Sequence, residues 1–79
     1  MSIHEIFSQK VRQYREENHL TQANMAEMCN ISIEYYQRIE HGRANVGLDN
    51  AVFIATVLDI SIDALKEEVR RQQAREDRQ

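Results

Sequence analysis

The stretch LTQANMAEMCNISIEYYQRIEHG, Leu20 to Gly42, contains two short helical patterns separated by about three residues. Thr21 suits the start of the first helix, because a threonine hydroxyl can accept a hydrogen bond from a backbone amide of the first turn. Ser32 suits the start of the second helix for the same reason. Asn30 and Gly42 tolerate the left-handed conformation in which helices commonly end. The stretch therefore predicts two short helices joined by a tight turn.

The apolar residues of the stretch indicate which side of each helix is buried. In the second helix Tyr36 and Ile39 are three residues apart and share one face, so Tyr36 is predicted to lie in the core rather than to form a stacking surface, while Tyr35 points outward. The first helix is predicted to bury small and apolar side chains that allow another helix to approach closely. These are Ala23, Met25, Ala26 and either Cys29 or Met28.

Another helix is predicted before this stretch, from about Ile3 to Glu17. Ser2 and Glu5 match the capping box that often begins a helix. Asn18 can take the left-handed conformation at its end. The apolar residues that recur at helical spacing are Ile3, Ile6, Phe7, Val11 and Tyr14.

Two more helices are predicted after the turn GRANVG. The fourth spans roughly Leu48 to Leu58, with Asp59 at its left-handed end, and Ser61 caps the fifth. The predicted core residues of the fourth helix are Leu48, Ala51, Ile54, Ala55 and Leu58, and the only regularly spaced apolar residues of the fifth are Ile62, Leu65 and Val69. The fold class is all-α with five helices. We expect one domain over residues 1–69 and a polar, frayed tail over residues 70–79, since nothing in the tail can be buried.

Composition limits the possible functions. The chain of 79 residues has no Pro, no Trp and two Gly, which favours helices, and its net charge of -3 has the wrong sign for unspecific coating of nucleic acid. No apolar stretch approaches transmembrane length, so a cytoplasmic location and no membrane partner are expected. Cys29 is expected to be a buried thiol, the three histidines lack metal-ligand spacing, and no nucleophile with an orienting group is evident. We therefore expect no cofactor, no metal and no enzymatic activity.

The fourth helix carries more apolar residues than one core face requires. At 100° per residue, Phe53 and Val57 lie opposite the predicted core face. The fifth helix could cover them with Leu65 and Val69, or these four residues could form a two-fold contact between protomers. The second alternative is favoured, and a homodimer is expected.

Two short helices joined by a tight turn form the arrangement that places a helix in the major groove of DNA. The chain resembles the Cro and phage-repressor (XRE-like) type of helix-turn-helix domain over roughly Val11 to Leu65. The residues that carry this resemblance are Arg15, Leu20-Thr21-Gln22, Met25-Ala26, Ile31-Ser32, Ile39-Glu40, Gly42, Ile54-Ala55, Leu58, Ile60-Ser61 and Leu65. The resemblance implies a lambda-repressor-like domain whose third helix reads DNA.

The resemblance also implies a role for individual residues. The base-reading positions fall on Ile33, Glu34 and Arg38. Arg38 can form two bonds to guanine, Glu34 can accept a bond from cytosine, and Ile33 can meet a thymine methyl. Residues expected near the DNA backbone are Gln22, Tyr35, Arg43 and Asn45. The family's partly buried ion pair corresponds to Arg15 and Glu40, which are assigned to folding.

Three positions depart from the family pattern. Asn30 and Asp59 stand where glycine is usual, and both residue types tolerate left-handed geometry. Glu34 adds negative charge to the reading face, where its alternative role is an ion pair with Arg38 one turn later. Glu34 and the acidic balance leave one rival function open, a protein-interaction module that keeps the fold but does not bind DNA.

The expected function is that of a small bacterial or phage-type transcriptional regulator. Its length resembles that of stand-alone repressors and of the controller proteins of restriction-modification systems. Two recognition helices about 34 Å apart in a homodimer would meet successive major grooves, so a palindromic or near-palindromic operator of double-stranded DNA is expected. The regulator would act, most simply as a repressor, by occupying a promoter or by contacting RNA polymerase.

Overall fold

The computed structural model describes the backbone of residues 3–77 and the side chains of residues 3–75. Over these residues the chain forms five helices, which are α1 (Ile3–Glu17), α2 (Gln22–Met28), α3 (Ile33–Glu40), α4 (Leu48–Val57) and α5 (Ile62–Asp77). The predicted all-α fold with a helix-turn-helix at α2 and α3 is confirmed. Ser2, the cap predicted for α1, lies outside the described residues.

Local side-chain hydrogen bonds begin three of the helices. The Thr21 hydroxyl accepts a bond from the Asn24 backbone amide at 3.0 Å, and the Asn24 side chain accepts one from the Thr21 amide at 3.1 Å. Ser32 Oγ accepts from the Tyr35 amide at 3.1 Å, and Ser61 Oγ accepts from the Ala64 amide at 3.3 Å. The caps predicted for α2, α3 and α5 are therefore confirmed, since each satisfies an amide that has no partner inside its helix.

Left-handed residues end the first four helices. Asn30 (φ 56°), Gly42 (φ 70°) and Asp59 (φ 54°) take this conformation as predicted. The prediction for α1 is wrong by one residue, because His19 (φ 54°) and not Asn18 is left-handed. The Asn18 amide still donates to the Tyr14 carbonyl at 3.1 Å, which continues the helical pattern, so the reversal falls on the next residue.

The core lies where α1, α2, α3 and α4 meet. Helix α3 packs against both α1 and α2, and α5 packs against α1. In α2 the buried alternative is Cys29, whereas Met28 is 39% exposed. Burial raises the pKa of the Cys29 thiol. The fully or nearly buried apolar side chains are Ile6, Phe7, Val11, Met25, Ala26, Cys29, Tyr36, Ile39, Ile54, Ala55 and Leu58.

Four positions whose apolar spacing predicted burial lie on the surface. Leu48 is 78%, Ile3 60% and Ile62 55% exposed, and Ala23 is exposed as well. Leu48 and Ile3 are the first residues of their helices, so they project beyond the level at which neighbouring helices pack. Helical periodicity identifies a face, but it does not identify how far along that face the packing extends.

Helix α5 continues past Val69, where the sequence predicted the end of the domain, and reaches Asp77. The polar segment is helical without a regular apolar face. Two ion pairs at helical spacing accompany it, with 2.6 Å between Arg70 Nη1 and Glu67 Oε1 and 3.6 Å between Arg71 Nη1 and Glu68 Oε2. Such pairs stabilise an exposed helix modestly, and the segment that the sequence assigned to a frayed tail is therefore helical as far as Asp77.

Arg15 of α1 and Glu40 of α3 form a largely buried ion pair. Arg15 Nη2 lies 2.6 Å from Glu40 Oε1, and Arg15 Nε lies 3.0 Å from Glu40 Oε2. The Glu40 side chain is only 4% exposed and that of Arg15 is 22% exposed. Arg12 adds a hydrogen bond from Nη2 to the Glu40 carbonyl at 2.7 Å. The two helices are thus joined by a bidentate contact that water barely reaches.

This ion pair makes stability depend on pH in the acid range. Burial by itself raises the pKa of the Glu40 carboxyl, but hydrogen bonds from Arg15, Tyr36 and Gln22 together with the Arg15 charge outweigh it, so the pKa lies below its ordinary value of 4.5. A carboxyl with a lowered pKa in the folded state stabilises that state fully above its unfolded pKa, and this stabilisation disappears as pH falls through the folded pKa. We expect the parent protein to have a higher free energy of unfolding than Glu40→Gln. The difference should be largest above pH 4.5 and should shrink at lower pH.

The measurement is urea unfolding of the parent and of Glu40→Gln at a series of pH values. Glu16→Gln is the matched control, because Glu16 is an exposed carboxylate of α1. A difference between parent and Glu40→Gln that stayed constant down to acid pH would contradict the assignment of this titration to Glu40.

Candidate nucleic-acid interface

Helix α3 has one buried side and one exposed side. Tyr36 and Ile39 are 1% exposed and Glu40 is 3% exposed, so this side belongs to the core. The predicted base-reading residues Ile33, Glu34 and Arg38 are all exposed, with Ile33 at 38%. An exposed face on a helix whose other face is rigidly packed can present side chains to the edges of base pairs.

Arg38 does not pair with Glu34 in this structure. Within the described residues no ion pair joins the two side chains, although they are one turn apart. The Arg38 guanidinium carbon lies instead over the Tyr35 ring, 5.7 Å from its centroid. This distance is within the range of a cation–π interaction. Arg38 therefore keeps its hydrogen-bond donors available while its carbon atoms lie beside an aromatic surface.

Tyr35 links α3 to α4. Its ring is half-buried and packs against the edge of the core. Its hydroxyl accepts a hydrogen bond from Asn50 Nδ2 at 3.4 Å. Asn50 is an exposed residue in the first turn of α4, and the sequence did not predict a role for it. The start of α4 consequently lies close to the predicted reading face.

Gln22, predicted to contact a phosphate, is the first residue of α2. Its side chain is half-buried, and its Oε1 accepts a hydrogen bond from Gln37 Nε2 at 3.1 Å. A further hydrogen bond of the Gln22 side chain helps to lower the pKa of the Glu40 carboxyl, so the Nε2 group, the donor end of the amide, already serves one carboxylate. Gln37 was missed by the sequence reasoning, although it lies one turn after Ile33 and so on the same side of α3.

The loop between α3 and α4 holds the other two predicted backbone contacts. Arg43 and Asn45 are both exposed. Gly42 precedes them in the left-handed conformation, and the Arg43 amide donates to the Arg38 carbonyl at 2.8 Å, which closes the end of α3. The exposed charges around α3 are thus mixed, with Glu34 and Arg38 on the helix and Arg43 in the loop after it.

The four predicted dimer residues are exposed to different degrees. Phe53 is 47% exposed, whereas Val57 and Leu65 are half-buried and pack against the core. Val69 is also half-buried. Helix α5 packs against α1, and Phe53 remains about half exposed.

A second apolar surface, next to the predicted dimer residues, was not predicted from the sequence. An open groove of about 350 Å³ lies between the start of α1, α4 and α5. Its most exposed apolar side chains are Leu48 (78%), Ile3 (60%), Ile62 (55%) and Val52 (49%). Such exposed apolar area is unusual for an isolated small domain.

The described residues form neither a metal site nor a membrane-spanning helix. No cluster of three or more His, Cys, Asp or Glu side chains in the described part of the chain could hold a metal ion. None of the described helices is long and apolar enough to cross a bilayer.

The fold and the exposed face of α3 define a helix-turn-helix DNA-binding protein, and comparison with known families agrees. The helix-turn-helix family model matches residues 11–65, and the chain belongs to that family. It is 34% identical over 65 residues to the control protein C.SmaI of Serratia marcescens, a match that covers 82% of this chain and 77% of that protein. No solved structure matches. The chain is a DNA-binding transcriptional regulator of the Cro/C1 type.

Proposed function

We propose that the protein is a repressor that binds a palindromic or near-palindromic operator as a homodimer. The observation that carries this proposal is the exposure of Ile33, Glu34 and Arg38 on a helix whose opposite side is fully packed. Similarity to a control protein supports a role in controlling gene expression. Repression would follow from occupation of a promoter, and contact with RNA polymerase is the alternative mode of action.

Base recognition is assigned to the exposed face of α3. The planar Arg38 guanidinium can donate two parallel bonds to the N7 and O6 atoms of guanine. Glu34 can accept a bond from the amino group of cytosine, and Ile33 can contact a thymine methyl. Glu34 also repels phosphates, so it favours a position deep in the groove over one at its edge.

Backbone contacts are assigned to residues around this face. The Nε2 group of Gln22 and the amides at the start of α2 can bind a phosphate, because helix N-termini carry unpaired amides and partial positive charge. Arg43 and Asn45 are exposed in the loop after α3, and Tyr35 is assigned a backbone contact as well. These contacts would fix the register of the protein on the duplex without reading its sequence.

Dimerisation is assigned to the apolar side chains of α4 and α5. Phe53 supplies the largest exposed aromatic surface, and Val57, Leu65 and Val69 supply the parts of their side chains that the core leaves open. Leu48, Val52 and Ile62 extend the apolar surface beyond the predicted residues. A dimer joins two modest half-site contacts through effective concentration, which compensates for the small positive charge of each protomer.

Selection of bound duplexes from a random DNA pool tests this function directly. The salt concentration is kept low and stated, because salt changes such affinities by orders of magnitude. We expect recovery of a two-fold symmetric site whose half-sites are about one helical turn apart. Recovery of nothing above background, from protein shown to be folded, would favour the rival function of a protein-interaction module.

Phe53→Glu is expected to convert the dimer into a folded monomer. A charge at the centre of an apolar contact would be desolvated on association, whereas the exposed ring can be replaced in the monomer at little cost. Operator affinity should fall by about 100-fold or more, which is the low end of the gain from linking two sites. Sedimentation over a concentration series and operator titration provide the two measurements.

Ala64→Glu is the matched control, since it adds the same charge at an exposed position of α5 that is rotated at least 100° away from Ile62, Leu65 and Val69. It should leave the dimer intact. A Phe53→Glu protein that remained dimeric would remove Phe53 from the interface, and one that failed to fold would place Phe53 in the core.

A further inference from the structure

We infer that Asn50 is a positioning residue for Arg38, acting through the ring of Tyr35, and that this relay sets the base preference of the reading face. The inference rests on the proposed function, since it requires that Arg38 read a base. It assigns to Tyr35 a role as a platform, in addition to its place near the DNA backbone. It also assigns a role in specificity to α4, whose residues do not belong to the recognition helix.

The contact between Arg38 and Tyr35 is the first step. The guanidinium lies over the ring at 5.7 Å from its centroid and is not drawn toward Glu34. An arginine side chain has many rotamers, and binding in one of them costs conformational entropy. A platform that already holds the guanidinium reduces this cost and limits the directions in which its donors point.

The second step is that Tyr35 itself is held at both ends. Its backbone amide donates to Ser32 Oγ at 3.1 Å, at the start of α3. Its ring packs against the core, and its hydroxyl accepts the bond from Asn50 at 3.4 Å. The ring therefore cannot tilt freely, and its orientation depends on where the first turn of α4 lies relative to α3.

The third step separates this role from a simpler one. A phosphate contact by Asn50 would strengthen binding to every DNA sequence alike, because phosphates carry no sequence information. A positioning role changes only the discrimination between base pairs at the position that Arg38 reads. It also disappears once Arg38 is removed. The two roles thus predict opposite results in a double-mutant cycle.

The test uses the parent protein, Asn50→Ala, Arg38→Ala and the double variant. Each protein is titrated at one salt concentration with three duplexes. The first is the operator recovered by selection, the second is that operator changed at one base pair, and the third is unrelated DNA. The changed base pair is the one whose preference Arg38→Ala abolishes. We expect Asn50→Ala to reduce the affinity ratio of the first two duplexes by about 2- to 5-fold, the size expected from losing an exposed cation–π arrangement. Affinity for unrelated DNA should stay unchanged, and Asn50→Ala should have no further effect on the ratio in the Arg38→Ala background.

Two sets of controls make the result specific. Asn45→Ala removes an exposed asparagine of the neighbouring loop and should weaken binding to all three duplexes by one common factor. Tyr35→Phe keeps the ring but removes the acceptor of the Asn50 bond, so it should lower the affinity ratio as much as Asn50→Ala, while loss of its proposed backbone contact weakens all three duplexes by a common factor; Tyr35→Leu should lower the ratio at least as much.

Uniform weakening by Asn50→Ala, or an effect on the ratio that persists without Arg38, would overturn the inference and leave the proposed function intact. A parent protein that selects no DNA sequence would instead overturn the proposed function, and the inference with it. These results are distinguishable because the parent is tested before any variant.

Discussion

Arg15→Met is expected to lower the free energy of unfolding by about 3 to 5 kcal/mol, the usual cost of removing one partner of a buried ion pair. The Glu40 carboxylate, 4% exposed, would lose its 2.6 Å contact, and the nearest remaining cation would be Arg12, whose Nε is 3.8 Å away. Small domains have a total stability of about 5 to 15 kcal/mol, so the variant would be partly unfolded near physiological temperature. Urea unfolding followed by circular dichroism measures the change.

A second substitution distinguishes an unpaired charge from lost packing. Arg15→Met with Glu40→Leu removes both charges and retains apolar volume, so it should recover most of the stability that the single variant loses. Glu17→Gln removes an exposed carboxylate of the same helix and should change stability by no more than about 0.5 kcal/mol. If the double variant were less stable than Arg15→Met, the charge imbalance would not be the cause of the loss.

Arg38→Ala is expected to abolish specific operator binding while leaving the fold intact. A bidentate arginine–guanine contact contributes about 1 to 3 kcal/mol of discrimination, and a symmetric dimer would lose this contribution in both half-sites. Arg38 is exposed and contacts only the surface of Tyr35 among the interactions described above, so thermal stability should be nearly unchanged. Affinities for the selected operator and for unrelated DNA, measured at the same salt concentration, would show the ratio approaching one.

Arg43→Ala is the matched control for this experiment. It removes the same charge from a neighbouring exposed position that is assigned to the DNA backbone. It should weaken binding to operator and unrelated DNA by a common factor and reduce the salt dependence of both. If Arg38→Ala bound the operator as tightly as the parent, the assignment of the reading face would be wrong.

Arg15→Met and Arg38→Ala separate folding from recognition, because the first removes a partner of Glu40 and the second removes an exposed side chain. Glu40 and Arg38 are both in α3, and they differ in that one side chain is enclosed by α1 and the other faces solvent. A DNA-binding domain of this size needs both properties in one short helix. Its base-reading side chains are precise only if the buried side prevents the helix from moving.

Local chemistry explains why so much of the fold was predictable. The caps at Thr21, Ser32 and Ser61 depend on hydrogen bonds to amides within three residues. The left-handed residues Asn30 and Asp59 depend on their own backbone preferences. Each of these interactions is contained in a few consecutive residues, so the order and approximate bounds of the helices follow from the amino-acid sequence.

Contacts between helices explain what could not be predicted. Whether Cys29 or Met28 would be buried depended on the side of α2 that α3 covers, and the exposure of Leu48 depended on where packing along α4 begins. The hydrogen bonds of Gln37 with Gln22 and of Asn50 with Tyr35 join residues that are distant in sequence. Periodicity carries no information about such pairs.

The amino-acid sequence alone was sufficient for the all-α class and the helix-turn-helix, because these depend on caps, turns and apolar spacing that act over a few residues, and its resemblance to known domains over Val11 to Leu65 indicated the family. Only the tertiary structure decided that α5 packs on α1, that Arg38 lies over Tyr35 and that Asn50 donates a hydrogen bond to the Tyr35 hydroxyl. These features depend on the relative positions of packed helices, which are set by the whole core at once.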